Sequence, residues 1–264
     1  MQDFTSKVVF IAGGSSGLGK PIAEVLAARR RADLLKLALS SKQEINAVTL
    51  DLLDAAQVNE AFRKQPRLPD ALYCVADGCV SQLGFFTDLT SQQLEECMQN
   101  NYLTRKRKTR QLIFVSSASA LCNVPGYVAY ADTLREEDAI YSTPTCQYKV
   151  HCAFPKTFMT DAFIDEQETK PELTKRIESS DGPLEKLKTR IPSAEYIAEY
   201  IVARVVKGDF AVVSDFYTEV LWSNMLGSSP KRGLGFVDSV LGLLSGFLVW
   251  TVLSISWDSL RQSS

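Results

Sequence analysis

Short β-branched and aromatic runs recur along the chain, and between them lie stretches whose apolar residues fall three and four apart. Val8 to Ala12, Ala47 to Leu50, Ala71 to Ala76, Leu112 to Val115, Val150 to Phe154 and Phe210 to Val213 read as buried strands. Helical spacing runs over Lys20 to Arg29, Ala55 to Phe62, Ser91 to Asn100 and Ala194 to Val206. Ser91 and Ser193 stand where N-caps belong, and Pro21 occupies a first helical turn, where its missing N–H leaves nothing unpaired. Strands alternating with helices predict an α/β fold on a doubly wound parallel sheet.

The end of the chain breaks this pattern. From Ser239 to Trp257 there are 19 consecutive uncharged residues, bracketed by Asp238 and Asp258. That approaches the ~20 residues of a membrane span, and Lys231 and Arg232 before it would keep that side cytosolic. Four serines, a threonine and two glycines in the run point instead to a hairpin or interfacial helix that dips into one leaflet, or to a buried dimer or core helix. The expected organisation is a single domain over 1–230 with a hydrophobic, membrane-associating helical tail over 231–264.

Charge and composition narrow the function classes. Lys and Arg number 29 against 31 Asp and Glu, a net charge of −2, so there is no global basic field to hold nucleic acid. With 45% hydrophobic and 23% charged residues the chain is ordinary for a globular protein. A single histidine, His151, excludes a multi-histidine metal site. The six cysteines contain no C-x-x-C pair and no apolar leader precedes them, so reduced core thiols in a cytosol-facing protein are expected and no metal site is. The basic run Arg105 to Arg110 reads as a solvated loop rather than an address signal or a membrane contact.

The loop after the first strand carries the first chemistry. Gly13, Gly17 and Gly19 let the backbone turn tightly and approach a pyrophosphate, which would sit on the N–H groups of the following helix, with Ser15 and Ser16 adding hydroxyl donors. A strand, this loop and a helix make the sheet Rossmann-type. The same residues also read as G-x-S-x-G, a hydrolase nucleophile elbow at Ser15. That reading is weak, because the serine sits on the first strand and its only available base, His151, begins an apolar strand where a structural histidine is expected. Asp33 has the spacing of a ribose-binding acid, but its surroundings look helical, which favours NADP over NAD.

Further along, Leu112 to Ser119 places hydroxyls at the carboxyl end of a strand, and Tyr130 follows Ser117 by thirteen residues. With Asn101 upstream and the loop Ala12-Gly13 to Gly19, this set resembles the short-chain dehydrogenase/reductase family along nearly the whole chain. Gln82 to Leu89, Thr169 to Leu173 and Val206 to Phe210 are similar to those members that reduce the ketone of a long-chain sphingoid base at the endoplasmic reticulum membrane, with the catalytic domain in the cytosol. The resemblance implies NADPH as cofactor, held by Gly13, Ser15, Ser16, Gly17, Leu18, Gly19, Asp51, Leu52, Ala76, Gly78, Tyr130, Pro155 and Thr160. It implies Tyr130 as proton donor, Ser117 as the hydrogen-bonding partner of the ketone oxygen, and Asn101 as the anchor behind the tyrosine. A long alkyl chain partitions into lipid, which suits the apolar tail, and such folds often pair into homo-oligomers. Other lipid ketones, steroid or retinoid, fit the same residues, as does a non-catalytic dinucleotide-binding scaffold.

The chain departs from the family in four places. Leu134 stands where Tyr-x-x-x-Lys expects lysine, and no strand follows Arg30. Only 15 residues separate Asn101 from Ser117, and Ala76-Asp77-Gly78 replaces Asn-Ala-Gly. Three of these look like shortenings, near 30/31, 104/105 and 131/132.

Overall fold

Parallel strands pair well only when both faces of their sheet are covered, and the alternation of side chains along each strand here supplies two different coverings. In the computed structural model, which describes residues 7–36, 46–52, 54–65, 69–76, 111–121, 149–225, 236–249 and 251, five strands form one parallel sheet. They are β1 (Val9–Ala12), β2 (Ala71–Cys74), β3 (Gln111–Val115), β4 (Lys149–Phe154) and β5 (Ala211–Val213), in spatial order β1-β2-β3-β4-β5. Ala12 pairs with Cys74, Cys74 with Phe114 and Phe114 with Cys152, so the carboxyl ends of four strands stand nearly in line.

One face of the sheet carries Ile11, Tyr73, Ile113, Val115, Ala153 and Val212. Against it pack Leu18 and Ile22 of α1 (Gly19–Lys36) and Ile197, Ile201 and Val205 of α6 (Ala194–Lys207). Residues one step along the strands point the other way. Phe10 meets Phe62 of α2 (Ala55–Arg63) with ring centroids 5.2 Å apart. Phe154 and Phe210 flank Trp222 of α7 (Phe216–Met225) at 5.1 and 6.2 Å. Helices thus cover both faces, as the doubly wound expectation required.

Helix α6 shows why these sequences fold locally. Ala194, Ile197, Ala198, Ile201, Val202 and Val205 are buried on a single stripe. The Ser193 hydroxyl caps the helix by accepting from the Tyr196 N–H at 3.3 Å, and Gly208, at φ +91°, closes it in the left-handed conformation that glycine adopts without strain. Between β4 and α6 lie α3 (Asp161–Thr169), α4 (Glu172–Ile177) and α5 (Leu184–Arg190).

One expectation changes. Ala47 to Leu50 forms no strand: residues 46–49 are exposed and pair with no strand among the described residues. The tail is helical, as expected, and the structure gives its helix two unlike sides. Helix α8 (Phe236–Leu244), continued by a π-helical turn at Ser245–Val249, buries Asp238 and Ser245 and brings Gly242 against α7. A Cβ on Gly242 would lie 2.8 Å from the Ser223 carbonyl oxygen. Meanwhile Phe236, Val237, Val240, Leu243, Leu244 and Phe247 face outward, Phe236 and Phe247 being 76% and 73% exposed. Among the described residues no helix is long and apolar enough to cross a membrane.

Candidate functional site

The glycine loop is shaped by what its residues lack. Gly13 turns at φ +85° immediately after β1, and a Cβ there would lie 2.7 Å from the backbone nitrogen of Ala76. That approach is fixed by hydrogen bonds from the Val75 and Ala76 N–H groups to the Ala12 carbonyl, at 3.0 and 2.9 Å. A Cβ on Gly19 would collide with the Gly13 carbonyl, so the loop closes on itself only because the helix begins with glycine. Gly17 adopts φ +51°, with nothing within 4 Å of where its Cβ would be. Ser15, Ser16 and Gly17 are exposed there, and Leu18 and Gly19 turn inward. Lys20 and Ile22 donate to the Ser16 and Leu18 carbonyls, both at 3.2 Å, and Pro21 has no N–H, so the open approach over Gly17 leads to the positive end of an 18-residue helix rather than to a row of spare N–H groups. This cradle fits a pyrophosphate.

On the neighbouring edge, Asp51 and Leu52 lead into α2. Asp54 caps that helix, accepting from the Ala56 and Gln57 N–H groups at 2.8 and 3.2 Å. The Gln57 side chain donates back to Asp54 at 2.9 Å and accepts from the Asp51 N–H at 3.2 Å. These bonds, led by the one from the Gln57 side chain, hold the Asp54 carboxyl below its ordinary pKa. Asp54-x-x-Gln57 is a capping-box signature; it fixes the Asp51 backbone and was not singled out in the sequence.

At the centre of the sheet, Ser117 follows β3 in extended backbone and caps the 3-10 turn Ala118–Ala120. Its hydroxyl oxygen accepts from the Ser119 N–H at 3.2 Å, which leaves the hydroxyl proton able to donate to a ligand. The Ala118 N–H donates to the Pro155 carbonyl at 3.0 Å, so the ends of β3 and β4 bring Ser117 and Pro155 together. Ser116 beside it is buried, and its hydroxyl has no hydrogen-bond partner among the described residues. Thr160 caps α3, its hydroxyl accepting from the Phe163 N–H at 3.0 Å. From the glycine loop on β1 to Pro155 on β4 is three strand spacings, about 14 Å. The sequence-derived positions on this edge thus form a shallow band across the carboxyl ends of the strands. Tyr130, Asn101, Gly78 and Leu134 lie outside the described residues, as do Ser91 and the basic run.

The hydrolase alternative fails on geometry. Ser15 follows the carboxyl end of β1, whereas His151 is the third residue of β4, three strands away. His151 Nδ1 lies 2.6 Å from the Asp209 carbonyl oxygen, which can only accept, so Nδ1 carries the proton. Burial is the main force holding this imidazole below its ordinary pKa, and its Nε2 has no hydrogen-bond partner among the described residues. It is a neutral, structural histidine. Cys74 and Cys152 are buried, reduced thiols, and the described residues contain no cluster suited to a metal ion.

No protein-family profile matches the chain. Over 310 aligned positions and 94% of its length it is 24% identical to the 3-ketodihydrosphingosine reductase of Aspergillus fumigatus, 82% of which is covered. It is 29% identical to the Saccharomyces cerevisiae enzyme of the same name, covering 95% of this chain and 93% of that one. About 94% of the 264 residues enter that alignment of 310 positions, so about 60 of its positions face gaps in this chain. Among solved structures, a short-chain dehydrogenase from Burkholderia cenocepacia in complex with NADP superposes with a TM-score of 0.61 at 14% identity, over 87% of this chain and 96% of that one. A short-chain dehydrogenase from Streptomyces avermitilis gives 0.59 at 18% identity, over 84% and 93%.

Proposed function

We infer that this chain, which has the short-chain dehydrogenase/reductase fold and is related along nearly its whole length to 3-ketodihydrosphingosine reductases, reduces the ketone of 3-ketodihydrosphingosine to dihydrosphingosine in sphingolipid synthesis. The similarity to reductases of that name over more than nine-tenths of the chain carries the reading. A nicotinamide dinucleotide is the cofactor, and when bound it supplies the hydride. Gly13, Ser15, Ser16, Gly17, Leu18 and Gly19 cradle its pyrophosphate, while Asp51, Leu52 and Ala76 line the adenosine side and Pro155 and Thr160 the nicotinamide side. Asp33 lies within helix α1 rather than at a strand end, which is not the place of a ribose-binding acid and supports NADPH.

Ser117 holds the ketone oxygen through a hydrogen bond from its hydroxyl as negative charge develops, keeping its own proton. Tyr130 delivers the proton that completes the alcohol, and Asn101 anchors the network behind it. A second reading is favoured by Leu134: without the lysine that lowers the tyrosine pKa, the chain would bind dinucleotide and not turn over. Loss of reduced-cofactor absorbance, followed with 3-ketodihydrosphingosine and with steroid and retinoid substrates, decides between them. Turnover is expected with 3-ketodihydrosphingosine and NADPH, and Tyr130→Phe should lower it by about 10²-fold or more, the span of general acid catalysis, with cofactor binding retained. Cofactor binding without turnover of any substrate would establish the scaffold instead.

The tail works at a lipid surface. Asp238, Gly242 and Ser245 recur at helical spacing on the side turned to α7, and the large apolar side chains point away from the protein. This supports an interfacial helix lying in one leaflet of the endoplasmic reticulum membrane, with the catalytic domain in the cytosol beside a lipid substrate. In flotation with neutral phosphatidylcholine vesicles the chain should rise with the lipid, and Leu243→Glu with Phe247→Glu should leave it at the bottom. Equal flotation of both proteins would exclude this helix as the anchor.

A further inference from the structure

Lys170 is the most deeply buried cation among the described residues, its side chain only 1% exposed. It caps the carboxyl end of α3. Its ammonium lies 2.7 Å from Glu166 Oε1, one turn back on α3, and 2.7 Å from Glu178 Oε2, on the residue that closes α4. The Phe163 ring centroid lies 5.2 Å away, giving the cation an aromatic face as well. Burial raises the Glu166 carboxyl above its ordinary pKa, and the lysine opposes that shift.

Such an arrangement is a poor way to gain stability, because two desolvated carboxylates and an ammonium of this kind can commonly be replaced by apolar side chains without loss. What it supplies is position. The Lys170–Glu178 pair ties the far ends of two short helices to each other, while Glu166 and the Phe163 ring, both on α3, hold the ammonium in place to make it. Those helices begin at Thr160, five residues beyond Pro155, whose carbonyl is bonded to the Ser117 turn. They are therefore the next structure outward from the carboxyl end of β4, where ligands of open α/β sheets bind.

We propose that Lys170 is a positioning residue for substrate: its buried ammonium clamps α3 to α4 and holds the pair as a wall along which the hydrocarbon chain of the ketone lies. The proposal rests on the reductase reading above. Lys170→Met alone leaves the buried Glu166 and the half-buried Glu178 carboxylates without their cation and is expected to unfold. The informative variant is Lys170→Met combined with Glu166→Gln and Glu178→Gln, which keeps the side-chain volumes and removes all three charges together.

In the full chain this triple variant should fold with little change in Tm and bind NADPH with unchanged affinity. Its amides from 155 to 178 should exchange faster with solvent. The KM for 3-ketodihydrosphingosine should rise about tenfold, and that for a short-chain 2-amino ketone should stay the same, because only binding along the chain has been lost. Unchanged KM for the long-chain ketone, an equal rise for both ketones, unaltered exchange, or failure of the triple variant to fold would each overturn the clamp. A wild-type chain that reduces neither ketone overturns the reductase reading and the clamp with it, whereas an active wild type beside an unaffected variant overturns the clamp alone.

Discussion

The two ends of the sheet reach order by opposite means. On the β1 side, all four strand residues are partly exposed, and the loop that follows is defined by missing side chains: Gly13 against Ala76, Gly19 against Gly13, and Gly17 facing open space. On the β4 side, every residue from Val150 to Phe154 is buried. There Trp222 fills the space between Phe154 and Phe210, and His151 ties its strand to Asp209. The first region is built to admit a ligand against bare backbone, the second to resist deformation. Catalysis at the carboxyl edge needs both, since a ligand positioned by one must meet residues held by the other.

That contrast predicts a separation of effects. Trp222 is only 1% exposed and stacks on two aromatic rings, so Trp222→Ala should lower unfolding stability by about 3–5 kcal/mol, the usual cost of emptying so large a core site. Urea denaturation measures that loss. Cofactor affinity per folded molecule, read from fluorescence of the reduced nicotinamide, should be unaltered. A variant that keeps full stability, or that folds and loses cofactor, would erase the distinction between the two ends.

The resistant end was the more legible in sequence, for a physical reason. Parallel strands covered on both faces are uninterrupted apolar runs, so Leu112 to Val115 and Val150 to Phe154 announce themselves, and α6 does so through its stripe, its Ser193 cap and Gly208. Whether a short run finds a partner is not a local property, and Ala47 to Leu50 shows it: the composition suits a strand, yet no neighbour pairs with it among the described residues. The same applies to Lys170, whose i,i+4 spacing to Glu166 looks like a surface ion pair. Only the fold reveals Glu178 on its other side and the burial of Lys170 and Glu166. The tail was read correctly as apolar and helical, and its direction was written at Asp238, Gly242 and Ser245, whose i, i+4, i+7 spacing marks the side toward α7. At the site, the glycine spacing and Ser117 were visible because their chemistry depends on residue type, whereas the Asp54–Gln57 brace behind Asp51 depends on hydrogen bonds.

The smaller effect on stability belongs to the ligand-admitting end, and Gly17 isolates it. Its backbone sits at φ +51°, and a Cβ there would touch nothing within 4 Å. Gly17→Ala therefore carries only the intrinsic cost of a left-handed non-glycine residue, about 1–2 kcal/mol, with no packing penalty added. The methyl group would nevertheless project into the open approach that the exposed serines and the start of α1 surround. If a pyrophosphate comes close to backbone at this point, that methyl must displace it. The variant should fold, with a Tm only a few degrees lower, while its Kd for NADPH measured by calorimetry rises about tenfold or more, as for loss of one charge-assisted contact. Such a result would pair with Trp222→Ala as its mirror image: stability nearly kept and cofactor lost, against cofactor kept and stability lost. Unchanged affinity in Gly17→Ala would mean that the cofactor does not approach this backbone, and the glycine loop would then be a tight turn between a strand and a helix with no further duty.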